Sequence, residues 1–121
     1  MKLATLRTGF GTSAIRIDGD NVGVELDYED VGQLLRSEDW RKAAQLSGEP
    51  VVFDHADLEA VVPAPGKVIC VGLNYAKHIR EMGREFPEHP TLFIKFADAL
   101  TGPYDDVFIP EYGTQKLDYD C

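Results

Sequence analysis

Apolar and polar positions along this chain follow two different rhythms. In the first half they alternate. Lys2–Arg7 reads as a strand, and Thr12–Ile17 and Val22–Leu26 as two more. The last two are joined by Asp18-Gly19-Asp20-Asn21, whose residue types tolerate turn conformations, so the pattern predicts a hairpin. The spacing then lengthens. Val31, Leu34, Leu35 and Trp40 give an apolar side to a helix predicted over Tyr28–Leu46, ended by Gly48 and Pro50. Short apolar pieces at Val51–Phe53 and Leu58–Val62 lead to Pro63-Ala64-Pro65-Gly66. This Pro/Gly cluster is the predicted boundary between a small N-terminal unit, residues 1–62, and a second unit, residues 63–121.

Beyond it, apolar residues come in blocks. Val68–Val71 reads as a strand buried on both sides, broken at Gly72. A short helix is predicted over Tyr75–Met82 and closed by Gly83. Phe86–Pro90 reads as a loop, and Thr91–Phe96 as an apolar strand interrupted by Lys95. Val107–Ile109 is a further short strand, and Lys116–Cys121 begins another. From Asp98 onward there are six acids against one base, Lys116, and the sequence stops at what reads as a strand entry. A strand needs a partner, so the expectation is that these residues are a fragment. The predicted class is α+β, a hairpin-plus-helix unit followed by more sheet.

Composition narrows the function. A 44% hydrophobic content in 121 residues is enough for a core and argues against global disorder. The net charge of −9, with only 12 Lys and Arg spread along the chain, argues against nucleic acid and anionic membrane as partners. No apolar run approaches the roughly 20 residues that cross a bilayer. The N-terminus has no signal-peptide core, so the expected compartment is the cytoplasm. Cys70 lies in an apolar strand as a small hydrophobe, and two cysteines indicate no disulfide framework.

The candidate chemistry lies in Pro65–Met82, where a strand end delivers Asn74, Tyr75, His78 and Glu81 in quick succession. His78 and Glu81 are three apart and share one face of a helix. A carboxylate beside an imidazole raises its basicity and orients it to take a proton from water. On spacing alone, an exposed polar helix face is the commoner meaning of His-x-x-Glu. Asp118 and Asp120 alternate, so on a strand both would point one way and could ligate a hard cation; a solvated turn is the commoner meaning here too. Lys95 is a paired buried ammonium or an edge-strand charge that blocks aggregation, with equal weight on each. Asp105-Asp106 reads as a loop, and His55 and His89 as surface residues. There is no glycine-rich phosphate loop, Cys-x-x-Cys pair or Gly-x-Ser-x-Gly elbow.

Taken in order, PGKVICVGLNYAKHIREMG, PTLFIKFADALTGPYDDVFIP and KLDYDC resemble the fumarylacetoacetate hydrolase family over about residues 63–121. The preceding hairpin and helix resemble the small N-terminal domain of many bacterial members. The resemblance implies a mixed β-roll, a homodimer, and a Mg²⁺ cofactor, with Ca²⁺ or Mn²⁺ as substitutes. It implies hydrolysis or isomerisation of small diketo and 2-keto acids in aromatic-compound catabolism, through an enolate that a divalent cation stabilises. Decarboxylation of oxaloacetate is an alternative within the family, and a non-catalytic binding module is an alternative outside enzymes.

By the same resemblance, His78 and Glu81 would activate water, Asn74 and Tyr75 would line the substrate, and Lys95 would match the lysine after the second strand. Asp120 would stand at the first metal-binding Glu of a Glu-x-Glu pair whose second member falls after Cys121. The 121-residue chain alone is therefore expected to be inactive. Leu73 stands where some acylpyruvate-acting members carry Arg, which weighs against that substrate.

Overall fold

The computed structural model describes residues 1–109 and 111–113. The first region is a four-stranded antiparallel sheet in the order β1-β2-β3-β4, with β1 Lys2–Thr8, β2 Gly11–Gly19, β3 Val22–Glu25 and β4 Pro50–Val52. Seven residue pairs, from Lys2↔Ile17 to Thr8↔Gly11, hold β1 to β2 around the two-residue turn Gly9-Phe10. The predicted hairpin is present as β2–β3, with Asn21 in its turn at φ 57°. Asparagine tolerates this left-handed backbone, and its side-chain amide also donates to the Phe53 carbonyl at 2.9 Å.

Alternation of side chains gives this sheet an apolar layer on each face. Ala4, Leu6, Ile15 and Phe53 are buried on one side. Ala14 and Leu26 meet Val31, Leu34 and Ala44 on the other. The buried Thr5 hydroxyl lies between elements, accepting from the Val31 backbone N–H at 3.1 Å and donating to the Val61 carbonyl at 2.7 Å. One side chain thereby ties β1, the start of a helix and the chain beyond residue 60.

The single helix expected over Tyr28–Leu46 is two short ones, α1 Val31–Leu35 and α2 Trp40–Ala43. Asp30 starts α1 by accepting from the Gln33 N–H at 2.7 Å. Ser37-Glu38-Asp39 then interrupts, where Ser and Asp favour caps and turns over helix interior. Arg16 closes the end of α2 by donating to the carbonyls of Ala44 and Leu46 at 2.8 and 3.0 Å. The Leu58–Val62 piece contributes a single bridge, Leu6↔Leu58, and Val107–Ile109 is not a strand.

The second region is a two-stranded antiparallel sheet of β5 Val68–Gly72 and β6 Thr91–Lys95, with α3 Ala76–Glu81 between them. The expected burial of β5 on both sides is not what the structure has. Ile69 and Val71 are 57% and 50% exposed, and their same-face partners Ile94 and Leu92 are 71% and 61% exposed. Cys70 is half-buried rather than enclosed. The physical reason is that these two strands have no third strand or helix against that face among the described residues.

The chain after β6 returns to the first sheet. Arg7 on β1 donates to both oxygens of Asp105, at 2.8 and 2.5 Å, and through Nε to Glu59 at 2.8 Å. The Gly102 N–H donates to the same Asp105 carboxylate at 2.8 Å. A Cβ on Gly102 would meet the Leu58 carbonyl at 2.6 Å and the Arg7 guanidinium at 2.9 Å, so only glycine fits. Tyr104 stacks on His55, with ring centroids 5.4 Å apart.

Candidate functional site

β5 runs out at Gly72, and the next three residues turn the chain into α3. Leu73 takes φ 52°, Asn74 follows, and Tyr75 is the helix N-cap at φ −106° and ψ 112°. Buried Ile79 anchors α3. Gly83, at φ 64°, ends it, with N–H bonds from Gly83 to Arg80 and from Arg84 to Ile79. The Arg80 guanidinium then lies 5.3 Å from the Phe86 ring centroid, holding the following loop to the helix.

This corner brings four of the six expected site residues together. Asn74 and Tyr75 are exposed at its apex, and His78 and Glu81 are exposed one turn apart along α3. The imidazole and the carboxylate are not hydrogen-bonded to each other. The Glu81 carboxylate lies 3.8 Å from Lys77, an exposed pairing of at most a few tenths of a kcal/mol. The corner thus carries an imidazole, a carboxylate, an amide and a phenol within eight residues, all exposed to solvent.

The other two lie elsewhere. Lys95 pairs in register with Val68, at the opposite end of β5 from Gly72. Four residues of extended chain separate those ends by about 13 Å. Asp120, with Asp118, lies outside the described residues. Among the described residues, no three His, Cys, Asp or Glu side chains come together to hold an ion. The described part of the chain therefore does not by itself fit a Mg²⁺ site.

Two features of the site region had no signal in the sequence. One is the left-handed Leu73. The other is the Arg7–Glu59–Asp105 cluster, which fastens the chain leaving β6. In it, hydrogen bonds from Arg7 hold the Asp105 and Glu59 carboxyls below their ordinary values, with the Gly102 and Ala60 N–H groups adding to the effect.

The fumarylacetoacetate hydrolase C-terminal family model matches residues 67–121, a span that starts just before β5. Residues 67–121 belong to the fumarylacetoacetate hydrolase family. The chain is 46% identical over 61 residues to the oxaloacetate tautomerase FAHD2A, mitochondrial, of Bos taurus, a stretch that is 50% of this chain and 19% of that protein. It is 40% identical over 78 residues to the human oxaloacetate tautomerase FAHD2B, mitochondrial, 64% of this chain and 24% of that one. A solved structure of an HpcE protein from Mycobacterium smegmatis superposes with a TM-score of 0.71 at 27% identity, covering 92% of this chain and 41% of that one. The chain therefore spans about a fifth to a quarter of these curated relatives and about two fifths of the solved structure. The mixed helix-and-strand fold is shared with that neighbour and with an uncharacterized protein of Mycobacterium abscessus at a TM-score of 0.62. Among the described residues no helix is long and apolar enough to cross a membrane.

Proposed function

We propose that these residues belong to an isomerase or hydrolase of small 2-keto and diketo acids, and that keto–enol interconversion of an oxaloacetate-like diacid is its reaction. The observation that carries this reading is the 46% identity over 61 residues to a protein named oxaloacetate tautomerase. The exposed corner of Asn74, Tyr75, His78 and Glu81 supplies suitable chemistry. Interconversion takes a proton from the carbon beside the ketone, shifts that electron pair into a carbon–carbon double bond and leaves negative charge on oxygen, which then accepts a proton; no carbon–carbon bond is broken. His78 is the base in this reading, Glu81 orients it once the exposed Lys77 contact is exchanged, and Asn74 and Tyr75 donate hydrogen bonds to the substrate oxygens.

The companion reading is hydrolysis of a diketo acid, in which the same pair activates water; decarboxylation would instead release CO₂ and pyruvate. Mg²⁺, Ca²⁺ or Mn²⁺ belongs to the proposal only through Asp120. Lys95, the homodimer and the cytoplasmic compartment are proposals as well, and the mitochondrial names of the mammalian relatives make fractionation the test of the last.

The test is made in the complete protein. Decay of the enol form of oxaloacetate is followed by absorbance, with product analysis alongside. His78→Ala is expected to slow the conversion on the order of 10²-fold or more. An unchanged rate removes His78 as the base, and CO₂ release moves the assignment to decarboxylation. The 121-residue chain by itself is expected to be inactive and to bind Mg²⁺ weakly.

A further inference from the structure

Among the described residues, four have a left-handed backbone: Gly11, Asn21, Leu73 and Gly83. Three of them meet it in ways that cost little. Gly11 and Gly83 have no Cβ to clash. Asn21 is a tolerant residue type, and its amide is bonded to the Phe53 carbonyl. Leu73 has neither escape. Its side chain carries no polar group to bond locally, and a bulky residue at φ 52° is an outlier. The neighbouring glycine, Gly72, is not in the left-handed region, so the chain's conformational freedom at this corner lies one residue away from the strain.

A glycine at 73 would make the same turn without strain. Leucine there adds a half-buried aliphatic group at the corner. Strain of this kind persists only where the surroundings over-determine it, and the surroundings here are the turn that delivers Asn74, Tyr75 and α3. We infer that Leu73 is a positioning residue: its strained backbone and half-buried side chain together fix the direction in which Asn74, Tyr75 and α3 are presented. This rests on the proposed reading of that corner as the substrate-facing one.

The prediction is a separation of stability from order. In the complete protein, Leu73→Gly keeps or raises the thermal midpoint, because strain is relieved. It speeds amide exchange over Asn74–Glu81 by about tenfold, because the anchor is lost. It raises KM for the 2-keto acid by about tenfold, with a smaller fall in kcat. Leu73→Asn, which tolerates the backbone but lacks the aliphatic group, shows the same pattern more weakly.

A lowered midpoint with exchange within twofold of the native protein would mean that Leu73 only packs, and would overturn the inference. Asn74→Ala separates the two readings. If it raises KM and Leu73→Gly does not, the positioning role falls alone. If neither changes KM, the substrate-facing reading falls, and amide exchange over Asn74–Glu81 decides whether Leu73 orders the corner.

Discussion

The two regions of this molecule treat their apolar residues in opposite ways. In the first, Ile15 and Leu34 are fully enclosed, and the sheet carries an apolar layer on each face. In the second, Ile69, Val71, Leu92 and Ile94 form an apolar sheet face that lies open. The sequences look equally apolar. What differs, among the described residues, is the extent of each sheet and its cover: four strands and two helices in one case, and in the other two strands with α3, which leaves that apolar face open. Two strands alone are marginal in water. Apolar content states what a strand needs, and topology decides whether it gets it.

Truncating enclosed against open side chains is the sharpest way to break this comparison. Leu34→Ala is expected to cost about 2–5 kcal/mol in chemical denaturation, because it leaves a cavity that the neighbours only partly fill. Ile94→Ala, on the open face, is expected to stay within about 0.5 kcal/mol. Equal costs would mean that the second sheet is covered in solution.

A smaller effect belongs to Thr5. Thr5→Val keeps the shape but strands the Val31 N–H and the Val61 carbonyl, at about 1–3 kcal/mol. A neutral result in the same denaturation experiment would show that the first region does not depend on that tie.

The smallest effect is at the seam between the regions. The folded-state carboxyls of Asp105 and Glu59 are depressed by Arg7, so their contribution is complete above the ordinary carboxylate range. It fades as pH falls from about 4 through the depressed values. The Arg7 end titrates only far into alkali and adds no pH dependence in the working range. Protection of the amides at Gly102–Asp105, taken as exchange relative to each amide's intrinsic rate at the same pH and measured from pH 6 downward, should fall in that acid window. Arg7→Met should remove the dependence, and a flat profile in the native chain would show that the ion pair does not hold the seam.

Local pattern made the first region legible. Alternation located β1 to β3, and Asp-Gly-Asp-Asn located their turn. The break between α1 and α2 was hidden because Leu35 and Trp40 keep the apolar rhythm across it. The nearness of Asn74, Tyr75, His78 and Glu81 was legible because all four fall within the eight residues Asn74–Glu81. Lys95 was not placeable, since its distance from that corner is set by the β5–β6 register and not by sequence separation. Arg7 and Asp105 are 98 residues apart, a pairing that no window along the chain can contain, and Asp105 accordingly read as a plain loop residue. The fold of Lys116–Cys121, including Asp118 and Asp120, lies outside the described residues.

Gly102 has a consequence for variation. A side chain there would strike a carbonyl, a guanidinium and a carboxylate that come from three separate stretches of chain. Gly66, in the Pro/Gly cluster, has open space around it. In a library that samples every residue at every position, position 66 should accept nearly the whole alphabet and position 102 a single letter. That intolerance would mark the seam between the two regions even for an experimenter who had never seen the fold.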